Sequence, residues 1–418
     1  MFEVLTDVSF HSVKRPIPIA LSILSTAAIL FFTVRPGGEA ELAQGWSFSL
    51  TYGPAALAEL IQNLLLFIPL GVSLTLAGVR PVRVVAIGGL LSFSVEFLQQ
   101  WIPGRDPSVG DIVCNTTGTA LGVLLVVAAP IWLWAPPRRS VWQARLTALI
   151  ALLAWYGTGA MVRQTFPPGP YRLVTTPDLP YLGRYEGEGL KVTTGVGSLE
   201  VRAVAAPSPP GRTSPVVAAL DPHDEQVLLL SVDGQDLTLR YAMPALRWTL
   251  EQPDLRLRGG MRSVAPRDTF TAATWHDSTN ICLRVNATER CHLGYTIGDG
   301  WKLIYYPEGR PPWTLGLINT LWMVGCVIGV GFWAARGSIG KGGWLAMGLV
   351  IAGLLMIPLI TGLKPTPIYE WIGAVGGMAV GWFLGRRDYS PDRPVQLQDV
   401  KLSARVLPKR ADVRARRE

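Results

Sequence analysis

ELIQNLLLFIPLGVSLTLAG (residues 59–78) and RVVAIGGLLSFSVEFLQQWI (residues 83–102), joined by VRPV, decide the fold. Each run approaches the ~20 residues that a helix needs to cross about 30 Å of hydrocarbon. Working outward, runs of similar length and polarity occur at 16–34, 111–134, 145–162, 313–335, 343–363 and 368–385, which makes eight expected spans. The whole chain agrees: 49% of its 418 residues are hydrophobic and 16% are charged, against roughly 25% charged in soluble domains. That balance excludes a disordered chain and an ordinary soluble enzyme. Its 44 Gly and 33 Pro show no period, which excludes collagen-like and low-complexity readings. The first run follows Lys14 and Arg15 and ends in Val34-Arg35-Pro36 without a small-x-small cleavage pattern, so it reads as an uncleaved span.

Basic residues orient the map. With the N-terminus inside, the inner loops carry Arg80 and Arg83; Arg138, Arg139 and Arg145; and Arg336 and Lys341. The tail from Arg386 holds ten Lys/Arg and five Asp/Glu, whereas the short outer loops hold Arg35, Arg105 and Lys364. Both termini are therefore expected in the cytoplasm and residues 163–312 outside. That stretch has 16 Lys/Arg and 16 Asp/Glu, so the net charge of +8 belongs to the inner side. It reads as a topogenic signal with attraction to anionic lipid, not as a nucleic-acid site. The expected domains are 1–162, five spans; 163–312, a soluble insert; 313–385, three spans; and 386–418, a basic tail.

The insert reads as an all-β sandwich. Val216–Leu220 and Gln226–Val232 are apolar strands around an Asp221–Asp224 turn; Asp233-Gly234 is a hairpin signal before the alternating Leu237, Leu239 and Tyr241. Thr269–Trp275 and Asn280–Val285 follow, Asn286–Thr288 is a turn, and Trp301–Tyr306 is expected to close the series as a strand. Cys282 and Cys291 flank the turn, and an oxidising location would permit a disulfide between them. Cys114 and Cys326 fall within spans, as small apolar packers.

Polar side chains within lipid are costly and invite functional hypotheses. Asn63, Glu96, Gln99, Arg105, Asp111 and Asn115 fall at one expected depth near the outer leaflet. Glu96 is expected to pair with Arg105, and Asp111 to cap its helix. Asn63 and Asn115 can also be read as interhelical hydrogen-bond partners.

These residues carry a resemblance. Asn63 with Phe67-Ile68-Pro69-Leu70-Gly71, Leu91-Ser92, Glu96-Phe97-Leu98-Gln99, Gly104-Arg105, Asp111, Asn115, Gly118 and Gly122 resemble the VanZ-like membrane family over about 20–135. The resemblance implies a helical membrane domain of the bacterial envelope, in the inner membrane, and no defined reaction. Leu230–Arg240 and the paired strands after Trp275 resemble the laminin-G/concanavalin-like jelly roll over about 180–307. That resemblance implies a module for glycans or proteins.

Lys364–Glu370 mirrors Arg105–Asp111, with base and acid six apart; Gly377 and Gly381 then follow Glu370 as Gly118 and Gly122 follow Asp111. Spans six to eight are thus read as a degenerate repeat of spans two to four, with Ala374 in the place of Asn115 and no counterpart of Glu96. Gly373, Gly377, Gly381 and Gly385 form a ladder suited to close helix packing or to self-association, as the pair Gly118 and Gly122 is to packing. Walker, HExxH, CxxC and GxSxG motifs are absent, the four His are scattered, and no cofactor or metal is implied. The expectation is an envelope membrane protein, partnered by the bilayer, that handles or senses an amphiphile or cell-wall component, with an outer glycan- or protein-binding module. An enzyme acting on a lipid-linked substrate through Glu96, Arg105 and Asp111, and a structural anchor for the sandwich, remain the alternatives.

Overall fold

The computed structural model describes residues 16–36, 45–48, 55–163, 171–179, 182–195, 197–223, 226–277, 280–307, 309–337 and 341–387. The expected basic tail, apart from its first two residues, lies outside the described residues.

The helical membrane part comprises α1 (Pro16–Thr33), α2 (Ala56–Leu76), α3 (Pro81–Gln99), α4 (Val109–Val127), the short α5 (Ala129–Trp132) and α6 (Pro137–Met161) before the β domain. The short α7 (Pro244–Arg247) lies within that domain, and α8 (Pro312–Arg336), α9 (Lys341–Thr361) and α10 (Ile368–Arg387) follow it. Pro81, Pro137 and Pro312 open their helices, where a missing N–H costs nothing. The fourth span stops at Val127 rather than at the expected 134, because Pro130 cannot continue the helix and opens α5 instead. Among the described residues, seven helices are long and apolar enough to cross a membrane. The eighth expected span is a helix of similar length, Ile368–Arg387, but Glu370 and five glycines dilute its apolar content. Ile23, Leu24 and Phe31 of α1, Leu149, Ile150 and Leu153 of α6, and Leu359 and Ile360 of α9 are exposed apolar side chains that lipid would cover.

Helix packing falls into two groups. In the first, α2 packs on α1 and α4, and α4 also on α3, around Ile29, Phe67 and Leu70. In the second, α8 packs on α10 and α6, and α9 on α6 and α8, around Trp155, Met323, Val327 and Val350. Glycines set the closest approach in both groups. A Cβ on Gly118 or Gly122 would stand 2.2 Å from Leu64 O or 2.4 Å from Ile68 O of α2. On Gly373 or Gly381 it would stand 2.5 or 2.0 Å from Thr320 O or Ile328 O of α8. Gly377 and Gly385 also face α8, against Val324 and Phe332, so the ladder is taken up within the chain.

The β domain is two five-stranded antiparallel sheets sharing one core. One has the order β1 (Arg172–Thr175), β4 (Ser214–Leu220), β5 (Gln226–Asp233), β6 (Asp236–Tyr241), β7 (Leu255–Leu257). The other has the order β10 (Thr288–Leu293), β9 (Asn280–Val285), β8 (Thr269–Asp277), β3 (Ser198–Val204), β2 (Glu188–Gly195). Strand alternation builds the core: Leu199, Val201 and Ala203 point in, and Glu200 and Arg202 point out. Gly234, at φ 58°, supplies the left-handed residue of the β5–β6 turn. Cys282 and Cys291 are disulfide-bonded across β9 and β10. Cys114 is buried and Cys326 half-buried, both unbridged.

The expected closing strand 301–306 is absent. Ile297–Leu303 is a 3-10 helix instead, opened by a reciprocal capping box of Thr296 and Asp299. Its glycines, Gly298 and Gly300, would meet Glu370 and Thr158 if they carried a Cβ, so this segment serves as a close contact with the helices, not as a strand of a sheet. The β domain also grips the first helix group. Thr249 O accepts from Leu57 and Ala58 N–H at 3.1 and 3.3 Å, satisfying the open first turn of α2, and Gln62 Nε2 donates to Ile304 O at 2.7 Å.

Two polar layers beneath the β domain

The six membrane-site candidates gather at the end of α2, α3 and α4 that faces the β domain, but not in the expected pairs. Ser108 caps α4, its hydroxyl accepting from Gly110 N–H. Asp111 stands three residues on, where a first-turn acid complements the helix dipole, and accepts from Asn63 Nδ2 at 2.7 Å. Glu96, only 2% exposed, accepts from Ser108 N–H at 2.8 Å. One turn deeper on both helices, Asn115 Nδ2 donates to Ser92 Oγ at 2.9 Å. Asn115 is 1% exposed, and its Oδ1 is buried without a hydrogen-bond partner.

Arg105 corrects the expectation of a Glu96–Arg105 ion pair. Its Nε donates to Arg35 O and its Nη2 to Phe32 O, both at 2.9 Å, so it closes the C-terminal carbonyls of α1. Gln99 does related work, donating to Thr33 O at 3.0 Å. The spacing along the chain brings Arg105 back toward α3, but the open carbonyls of α1 offer it the better-matched acceptors. Glu59 stands exposed one turn above Asn63 on α2.

The second helix group holds a layer of its own, of which the sequence marked Glu370, through its likeness to Asp111, but not Thr296, Asp299, Lys302 or Asn319. Glu370, wholly buried, accepts from the Thr296 hydroxyl, from Gly298 N–H at 3.1 Å and from Asn319 Nδ2 at 3.0 Å. Asn319 Nδ2 also donates to Asp299 Oδ1 at 3.0 Å, and its Oδ1 accepts from Trp301 Nε1 at 2.7 Å. Asp299 accepts from Thr296 N–H at 2.8 Å and from the Lys302 ammonium at 2.6 Å. Burial alone would push the Asp299 carboxyl up; Lys302, Thr296 and Asn319 outweigh it and hold the group below the usual carboxylate range.

The two layers are positionally alike. Asn63 and Asn319 are each the eighth residue of their helices, and Asp111 and Glu370 each the third. In both, the Asn amide donates to the acid. Counting from helix starts was the signal that could have found Asn319. In both, the connection between the group's first two long helices lays a segment on the fourth. Ser47 exchanges backbone bonds of 2.9 Å with Pro107 and Val109, and Tyr295 O accepts from Lys364 N–H at 2.9 Å. Ala374, wholly buried, replaces Asn115, so the second layer has no orphaned amide.

Among the described residues, no three His, Cys, Asp or Glu side chains are grouped to hold a metal ion. No curated protein and no solved structure matches the chain. Residues 17–133, which span α1 to α5 and hold the whole first layer, match the family model described as VanZ/LLP1.

Proposed function

We propose that the chain is a bacterial inner-membrane protein, with both termini cytoplasmic and the β domain outside, whose VanZ-like part, residues 17–133, receives the head group of an amphiphile or cell-wall component in the first polar layer. One observation carries this reading: Asn115 Oδ1 is buried without a partner, one turn beneath two carboxylates that each accept a single hydrogen bond. Buried polar groups are nearly always paired, and an orphan calls for an account. A donor-bearing head group at the membrane surface supplies it, with its acyl chains in the lipid alongside. The placement of Lys and Arg along the sequence supports the orientation.

The helical part is two copies of one unit, with the β domain carried in the first connection of the second copy. The β domain is a jelly roll, and its polar sheet face offers a glycan the edge of Trp275, beside Arg284 and Glu200. Arg284 pairs with Glu200 at 3.1 Å and lies 5.4 Å over the Trp275 ring. A structural anchor would need the first layer closed, which the orphaned amide argues against. An enzyme that uses Arg105 to hold an anionic substrate would need a guanidinium not already committed to α1.

Native mass spectrometry of the detergent-purified protein tests the reading. A co-purified amphiphile or glycan is expected on the wild type and is expected to be depleted in Glu96→Gln/Asp111→Asn. An unliganded wild type, or a ligand retained equally by the variant, contradicts it.

A further inference from the structure

We infer that the head group seated in the first layer carries a primary ammonium; the inference rests on the reading of that layer as a head-group site. The second layer is the template. It combines two carboxylates, Asp299 and Glu370, with the amide of Asn319 and the ammonium of Lys302, which donates to Asp299 at 2.6 Å. The ammonium is brought by the β domain's 3-10 helix, together with the Thr296 hydroxyl and the Gly298 N–H. In effect the β domain fills the second layer with a built-in ligand.

Among the described residues, the first layer has the same frame without that filling. Two carboxylates, Glu96 and Asp111, and the Asn63 amide are present. Asn115 adds a further acceptor, buried and unpartnered, one turn below the acids. Arg105 hydrogen-bonds to the carbonyls of Phe32 and Arg35 rather than to either acid, so its charge acts on Glu96 and Asp111 without supplying them a donor, and Arg35 lies over the Phe31 ring at 5.7 Å. Among the described residues Asp111 and Glu96 each accept one hydrogen bond, and Asn115 Oδ1, buried, accepts none. A primary ammonium has three N–H donors and one positive charge, so it matches the layer in both count and sign. A quaternary ammonium matches the sign but offers no N–H, and an anionic head group matches neither.

The full-length protein in detergent, titrated with dioleoyl phosphatidylethanolamine, phosphatidylcholine or phosphatidylglycerol and followed by native mass spectrometry, tests this. Phosphatidylethanolamine is expected to bind about tenfold or more tightly than phosphatidylcholine, the scale of losing charge-assisted hydrogen bonds. The preference is expected to vanish in Glu96→Gln/Asp111→Asn, whose thermal midpoint is read in the same samples. Should that variant not fold, Asn115→Leu takes its place and is expected to cut the preference roughly threefold. Displacement by free ethanolamine would mark a site for the amine alone; a preference that survives ethanolamine would mark a lipid-borne amine; both keep the inference. Equal binding of the three lipids, lost in the double variant, overturns the ammonium and leaves the head-group site standing. Binding of all three that is indifferent to both variants overturns the two together.

Discussion

The two polar layers share a frame and differ in closure. Around Glu370 three donors from two elements converge, and every heavy atom of the Asn319 amide is used. Around Asp111 the same Asn-to-acid bond is made, but among the described residues the acid accepts nothing further and Asn115 Oδ1 is left over. The difference lies in what the inserted connection brings. In the second group it is a whole domain that delivers Thr296, Asp299, Trp301 and Lys302; in the first, the described part of the connection bonds the backbone at Pro107 and Val109. Packing does not explain the contrast, because glycines bring the helices equally close in both groups. A closed layer stabilises; on the proposed reading, the first layer receives a head group.

The comparison breaks most visibly if the closed layer proves dispensable. Glu370→Leu leaves the Gly298 N–H without its acceptor and takes one bond each from the Thr296 hydroxyl and Asn319 Nδ2, which keep Asp299, and is expected to cost about 2–4 kcal/mol, the scale of a stranded buried donor plus the lost bonds. Thermal unfolding in detergent would read this as a large fall in midpoint, with the β domain loosened from α10. Asp111→Leu strands Asn63 alone and is expected to cost about 1 kcal/mol. Equal losses at the two acids would end the distinction.

A finer version replaces the amides. Asn319→Leu is expected to cost about 2–3 kcal/mol, since it strands Trp301 Nε1 and removes one bond each from Asp299 and Glu370. Asn115→Leu gives up one hydrogen bond to Ser92, about 0.6 kcal/mol in a membrane, and removes an unsatisfied oxygen, so its effect is expected within about 0.5 kcal/mol of zero. The same unfolding assay separates them.

The smallest effect is a pH dependence. Asp299 titrates below its unfolded value, so the stability it contributes is fully present above about pH 4 and is lost as pH falls through the lower folded value. Acidification is therefore expected to weaken the contact between the β domain and the second helix group in that window, and Asp299→Asn to flatten the dependence there. Hydrogen exchange across residues 296–303 would follow it.

Most of the frame was legible in the sequence, and the reasons are local. Span length and apolar content marked the helices, and alternation with Asp233-Gly234 marked β5 and β6, because each signal is contained within one element. Asn63, Glu96, Asp111 and Asn115 stood out because polar side chains are rare within apolar runs. What was hidden depends on partners far along the chain. Arg105 was expected on Glu96, nine residues away, but went to α1, some 70 residues away. The stretch 301–306 looked like a strand because Trp301, Leu303, Ile304, Tyr305 and Tyr306 are all apolar or aromatic; Gly298, Gly300 and the Thr296–Asp299 box made its first part a 3-10 helix. Asn319 was hidden in plain view, one amide in a long apolar helix whose acid lies 51 residues on.

The most direct measurement is an electron cryomicroscopy map of the full chain in nanodiscs containing phosphatidylethanolamine. The account expects non-protein density among Asp111, Glu96 and Asn115, ending within hydrogen-bond reach of Asn115 Oδ1, and protein side chains alone around Glu370. A first layer whose spare oxygens are all taken up by the protein's own donors, with no added density, would contradict it.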